Sequence, residues 1–222
     1  MINLEERIKE FYEKRTRYKL LRRMPVIIRV DGQAFHTFTK GMQPFDKTLM
    51  NCMVVAADLT MQHMSGCKVA YVQSDEVSFL LTDYETHQTE AWFDYNVQKL
   101  ASITASTFTA HFNGDHFTKV ATFDARAFNV PKEEVVNYFL WRAKDWHRNS
   151  ITMYANQFFS PKQMHKKKLA DLHEMLHREG KNWADLSNQI KNGTFIINGD
   201  YRHDILPHYE DIAKEVEGYV YP

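Results

Sequence analysis

The stretch CKVAYVQSDEVSFLLTD, residues 67–83, decides how this chain folds. Two runs rich in β-branched and aromatic residues, KVAYVQ and EVSFLL, flank Ser74, Asp75 and Glu76, which is the pattern of a β-hairpin with two adjacent carboxylates at its tip. Like charges that close repel, so something must make both worth keeping between two apolar strands. The pleat sends neighbouring side chains to opposite sides, so only one of the two points into any single site.

Upstream, VIIRV at 26–30 reads as a strand running into the turn DGQ, which places Asp31 just past a strand end. Before it, residues 3–22 carry Leu4, Ile8, Phe11 and Tyr12 at helical spacing and predict an amphipathic helix ended by Met24-Pro25. Helical periods also run from Asp46 to Met64 and over 90–113, with a strand, VATFDARAF, at 120–128. Pro131 and the acids behind it open a long helix reaching about 159. A last helical unit spans 161–179, stopped by Gly180, and KNGTFII suggests a late strand.

Strand, helix, strand, strand, helix, strand over 26–128 is a ferredoxin-like βαββαβ order, an α+β antiparallel sheet with its helices on one face. Its central strands are the first and third, so Asp31 and the hairpin tip come near each other. The expected organisation is residues 1–130 as N-terminal helix plus catalytic domain, and 131–222 as a C-terminal helical region with a late strand packed on it.

The 222 residues carry 28 basic and 28 acidic side chains, so a nucleic-acid surface must come from local clustering. KRTRYKLLRR, KQMHKKK, and Arg142, Lys144 and Arg148 are the clusters, each readable as a solvated face or as RNA contact. Only two cysteines, Cys52 and Cys67, a charged N-terminus and no long apolar run predict free thiols, no membrane partner and a cytoplasmic protein.

HEMLH at 173–177 fits a zinc-helix pattern, but His173 and His177 read better as a polar face opposite Leu169, Leu172 and Leu176. Cys52, His63 and Cys67 lack paired metal-ligand spacing. The aromatic set Phe108, Phe112, Trp141, Tyr154, Phe158 and Phe159 reads as core. Asp31 and Asp75 admit two readings: ordinary solvated turn acids, or carboxylates converging on Mg²⁺ shared with substrate phosphates.

RVDGQAFHTFTKGMQPFD, YVQSDEVSFLL and WFDYNVQKLAS, continued by FDARAF, LWRAKDWHRNSI and NWADLSNQIKNGTFI, together resemble the tRNA-histidine guanylyltransferase family, in particular its guanylyltransferase-like branch of 3′-to-5′ RNA polymerases. The resemblance implies a polymerase-like palm and two Mg²⁺ ions on Asp31, the Gly32 carbonyl and Asp75, with Glu76 supporting the catalytic pair. It implies nucleotide contacts at Gln33, Ala34, Phe35, His36, Asp46, Ser74 and Lys99. His147, Arg148, Asn149 and Ser150 fall where the family meets RNA or its 5′ end; the single-guanosine enzymes carry His-Ile-Asn-Asn there, and the form in this chain resembles the polymerase-like branch.

The implied reaction is activation of a tRNA 5′ end by ATP or GTP, followed by template-directed addition of nucleotides for repair of truncated tRNA, in a homotetramer. Gln43 stands where the family often has lysine, which leaves one phosphate contact to Lys40 or to nothing. Strict addition of one guanosine, an idle RNA-binding relative, and a nucleotidyl cyclase are the rival readings.

Overall fold

The computed structural model describes residues 2–114 and 116–222. The elements run α1 (Leu4–Ile8), β1 (Val26–Gly32), α2 (Phe35–Phe38), α3 (Lys47–Gln62), β2 (Cys67–Gln73), β3 (Glu76–Leu81), α4 (Val97–Phe112) and β4 (Phe123–Asn129). They continue with α5 (Val135–Ala155), α6 (Pro161–Met164), α7 (Leu169–Arg178), α8 (Asn188–Asn192), β5 (Thr194–Ile197), β6 (Asp200–Arg202) and α9 (Tyr209–Val220). All the strand pairs are antiparallel, in the order β4-β1-β3-β2-β5-β6. The expected βαββαβ order, with the first and third strands central, is the left part of this sheet. The late strand extends it.

Val26, Ile28 and Val30 of β1 and Val77, Phe79 and Leu81 of β3 bury one face of the sheet against Met53 and Ala57 of α3 and Leu100, Phe108 and Phe112 of α4. The alternate residues, Ile27, Tyr71, Leu80 and Phe195, bury the other face against Val135 and Phe139 of α5 and Ile212 and Val216 of α9. Coverage on both faces explains why β3 is buried along its whole length and reads as a continuous apolar run. A third cluster, Ile151, Leu172, Leu176 and Trp183, seats α7 on the upper part of α5, with Leu169 packed beside it.

The helix expected over 3–22 is shorter and bare. α1 passes into a π turn and a 3₁₀ turn that ends at Thr16, and Leu4, Ile8, Phe11 and Tyr12 stay exposed. Beyond it the chain is tied down by charge. The buried Asp83 accepts from Arg22 Nε at 2.5 Å and from the Arg23 backbone N–H at 2.8 Å, while the Arg23 guanidinium donates to the carbonyls of Asp83, Thr86 and His87. Arg22 and Arg23, two of the six basic residues of the first run, are therefore scaffold.

The segment expected as one helix over 90–113 starts as a 3₁₀ turn in which Phe93, Asp94 and Tyr95 have positive φ, and Asn96 caps α4 only afterwards. The 161–179 unit splits into α6 and α7, with Lys166 in the left-handed region between them. α9 and β6 were not expected from the sequence. Trp141, read as core, is 53% exposed.

Phe139 is fully buried where α5 meets the sheet, its ring 5.9 Å from that of Phe195. Phe139→Ala should cost about 3–5 kcal/mol of unfolding free energy, read from urea denaturation. A loss below about 1 kcal/mol would show that α5 does not depend on this contact.

Candidate active site

β1 delivers Asp31 to the end of the sheet, in register with Glu76 of β3 on one side and Asp124 of β4 on the other. Ser74 turns the β2–β3 hairpin in the left-handed region, φ 48°, and brings Asp75 back toward β1. The Gly32 N–H then donates to the Asp75 carbonyl at 3.0 Å. A Cβ on Gly32 would fall 2.4 Å from the Phe35 ring and 3.1 Å from the Asp75 Cβ, so only glycine lets strand, helix and hairpin tip meet here.

Burial pushes the Asp75 carboxyl above its usual range, and the Asp31 charge adds to that push; its own backbone N–H and the Ser74 hydroxyl act the other way. No cation is among the groups acting on Asp75, and neither it nor Asp31 joins an ion pair among the described residues. Asp31 and Asp75, with no group of three or more acids, histidines or cysteines placed to hold a metal among the described residues, are a poor closed cage but suit Mg²⁺, which takes one or two carboxylates and completes its shell with water and substrate phosphates.

Glu76 behaves differently from its neighbour. Its carboxylate accepts from Arg142 Nε at 2.6 Å and Nη2 at 2.7 Å, and from Gln73 Nε2 at 3.1 Å, with Arg29 Nε 3.9 Å away. Burial pushes its carboxyl up and Arg142 opposes this. Placing Glu76 in the catalytic set therefore needs correcting to a positioning role, since its lone pairs are committed to the scaffold. Arg142, grouped from sequence with the RNA-facing cations, is the buried partner in this pair.

Beside Asp75 opens a cleft of about 510 Å³, whose lining does not include Asp31. Of the residues expected to touch nucleotide, it gathers Phe35, His36, Asp46 and Ser74, together with the expected metal ligand Asp75 and with Gln43. The rest of its wall was not foreseen: Met42, Leu49, Met50 and Met53 on one side, Trp146, Met153 and Asn156 of α5 on the other. The spacing of the α5 residues on one helix face was a readable signal, but periodicity does not tell a cleft wall from a core.

Gln33 donates its backbone N–H to the Thr122 carbonyl at 2.8 Å and accepts from the Thr122 hydroxyl at 2.9 Å, which fastens the loop after β1 to the entry of β4. Ala34 is left-handed, φ 49°, an uncommon state for a non-glycine residue and one that turns the chain into α2. Among the described residues the backbone N–H groups of Ala34, Phe35 and His36 donate no hydrogen bond, a row of donors at the start of a helical turn. The Phe35 ring anchors that turn among Phe38, Phe112 and Phe123. Asp46 spends one oxygen capping α3, accepting from the Leu49 N–H at 2.9 Å.

Two groups of expected site residues are not brought together. Lys99 sits in the first turn of α4, next to Asn96, which bridges Lys19 ahead of β1; α4 reaches the aspartate end only at Asn113, whose side chain bonds Ala121. Sixteen helical residues, roughly 24 Å, separate the two ends, so within one chain Lys99 does not join the phosphate donors. Of 147–150, Ser150 is fully buried, accepting from Trp183 Nε1 at 3.1 Å and donating to the His147 carbonyl at 2.9 Å, and is structural. His147 packs edge-on to Trp183, with ring centroids 4.6 Å apart, and burial lowers its pKa. Arg148 and Asn149 are exposed and both bond Asp145.

The family model described as tRNAHis guanylyltransferase matches residues 5–131. A bacterial tRNA(His) guanylyltransferase (Thg1)-like protein solved in complex with ATP superposes with a TM-score of 0.94 at 39% identity, covering 99% of this chain and 100% of that one. A second such bacterial structure, in complex with GTP, gives 0.84 at 38%, covering 99% of both chains. A probable tRNA(His) guanylyltransferase of Drosophila melanogaster is 28% identical over 219 residues, 85% of this chain and 74% of that one. The sheet and its helices are the palm-like fold of these proteins, and the chain belongs to the tRNAHis guanylyltransferase family of nucleotidyltransferases.

Proposed function

We propose that this chain is a Mg²⁺-dependent enzyme of the guanylyltransferase-like branch that extends the 5′ end of tRNA in the 3′-to-5′ direction, copying the opposite strand to repair 5′-truncated tRNA after ATP or GTP activates the end. We place it in the cytoplasm, as a homotetramer. The observation that carries this reading is Asp75, which lines a nucleotide-sized cleft, feels the Asp31 charge and has no cationic partner.

Two Mg²⁺ ions on Asp31, Asp75 and the Gly32 carbonyl would supply charge neutralisation for the phosphates and a lowered pKa for the attacking 3′-hydroxyl. The protein's own part is placement. The free N–H groups of Ala34, Phe35 and His36 suit phosphate oxygens. Met42, Leu49, Met50 and Trp146 form an apolar slot for a base, and the second oxygen of Asp46 and the Asn156 amide are at hand for its edge. Glu76, locked to Arg142, keeps the hairpin tip in register. No protein nucleophile is called on: burial raises the pKa of both Cys52 and Cys67, so both are protonated thiols.

The activity for which the family is named favours a second reading, addition of a single guanosine to tRNA-histidine. The sequence His147-Arg148-Asn149-Ser150 favours repair, and Ser150 fits because its small side chain fills a closed niche against Trp183. With a 5′-monophosphorylated tRNA lacking its first nucleotides, ATP, Mg²⁺ and labelled nucleotides, the expected outcome is stepwise lengthening that follows the opposite strand. One guanosine added whatever the template would leave only the second reading. Asp31→Ala and Asp75→Ala should each lower incorporation by a factor of at least about 10³, while Lys99→Ala should leave it within tenfold unless a second chain brings Lys99 to the site.

The raised pKa of Asp75 fixes a pH-dependence. The folded state holds the Asp75 proton more tightly than the unfolded chain, so stability falls as pH rises from the ordinary aspartate range through the folded pKa. Asp75→Asn should therefore melt a few degrees higher than wild type at pH 7 without metal, an advantage that fades below about pH 4. Mg²⁺ should raise the wild-type melting temperature and not that of the variant. Equal shifts in both would remove Asp75 from the metal site.

A further inference from the structure

Most of the cations that the sequence clusters offer to a polyanion already have partners within the chain. In the first run Lys14 pairs with Glu10, Arg17 with Glu13, Lys19 with Asp94 and Arg22 with Asp83, while Arg23 donates to carbonyls. On α5, Arg142 holds Glu76 and Arg148 holds Asp145. The run after α5 is different. Lys162, Lys166, Lys167 and Lys168 are all exposed and join no ion pair among the described residues, and residues 156–170 contain no acid.

This run is built into the body of the protein. Phe159, Met164 and Leu169 pack against the cluster of Ile151, Leu172 and Trp183, and the lysines are displayed between those anchors. The Ser160 N–H donates to the Gln163 side-chain oxygen at 2.9 Å and the Lys167 N–H to the Met164 carbonyl at 3.0 Å, which fixes the turns on which they stand. Three consecutive lysines held in place in a chain of zero net charge make a local field that an anion relieves.

Just ahead of them in the chain stands a ring. Phe158 is 40% exposed, edge-to-face with Tyr154 at 5.3 Å between ring centres, and the Lys181 ammonium lies 5.4 Å from its centre. It follows Asn156 of the cleft wall by two residues, so ring and lysines continue from the nucleotide cleft along the end of α5. A ring for a base and ammonium groups for phosphates suit a single strand, because a duplex keeps its base faces stacked inside. A 5′-truncated tRNA has such a strand, since loss of the first nucleotides leaves their partners on the 3′ strand unpaired.

We infer that Phe158, with Lys162, Lys166, Lys167 and Lys168, binds the unpaired 3′ strand of the truncated tRNA, a base on the ring and phosphates on the lysines. The identity of the strand rests on the repair reading. The surface holds RNA and takes no part in bond making.

The test is binding of the full-length chain, without nucleotide, to two labelled RNAs by fluorescence anisotropy across a range of salt. One is a tRNA lacking its first 5′ nucleotides, and the other is the same RNA with the 3′ strand trimmed flush. Phe158→Ala should weaken binding of the first about tenfold and leave the second unchanged, and Phe158→Tyr should keep wild-type affinity for both. Replacing Lys166, Lys167 and Lys168 together by alanine should lower the slope of log affinity against log salt by about two on the first RNA. These side chains are exposed, so the lysine variant keeps the fold even where the Phe158 variant does not. An unchanged slope in the lysine variant, or equal losses on both RNAs in Phe158→Ala, would overturn the inference. A weakened affinity for a fluorescent ATP analogue with RNA binding intact would also overturn it, by giving Phe158 to the nucleotide. Failure of the repair reading shows separately, as absence of template-following extension.

Discussion

The structure turns on one close approach: the Gly32 N–H donating to the Asp75 carbonyl, with no room for a side chain between the β1 exit, the hairpin tip and the Phe35 ring. That contact holds the Asp75 carboxylate where burial, with the Asp31 charge adding to it, raises its pKa. A fold under no functional demand would relieve it with a larger residue at 32 or a neutral one at 75. Here the neighbouring charges are arranged to leave the repulsion in place. Arg142 neutralises Glu76, Arg126 leans on Asp124, and neither reaches Asp31 or Asp75.

The sheet makes this arrangement stiff. β1 and β3 are central strands covered on both faces, and the ladder between them fixes Asp31 opposite Glu76. α5 then links the two sides of the site: Phe139 seats it on the sheet, Arg142 ties it to the hairpin, and Trp146 and Met153 one and three turns later wall the cleft. A helix that begins at the far end of the molecule thus sets the width of the nucleotide slot. A change at its root, such as loss of the Phe139 packing, is felt at the base site as well as in stability.

Much of this was legible in the sequence because the period-2 pattern and the turn residues are local. The hairpin at 67–83, the strand before Asp31, and the helix that begins near Asp46 follow from residues within one or two turns of each other. What was not legible depends on partners distant along the chain. Glu76 and Asp75 look alike in sequence, and only Arg142, 66 residues on, separates an acid tied into the scaffold from one without a cationic partner. Lys99 sits well in its motif but at the wrong end of α4, a placement set by the direction of the helix. Ser150 belongs to Trp183 for the same reason. The bare face of α1 shows the converse: its helical period was read correctly, but nothing among the described residues covers it.

The central claim is that Asp31 and Asp75 form a pair that is incomplete without divalent metal. The most direct measurement is the number of Mn²⁺ ions bound per chain, counted by electron paramagnetic resonance in the presence of a non-hydrolysable ATP analogue. Two ions per chain are expected for the wild type, fewer for Asp31→Ala and for Asp75→Ala, and only the nucleotide's own ion for the double variant. Two ions retained in the double variant would contradict the account.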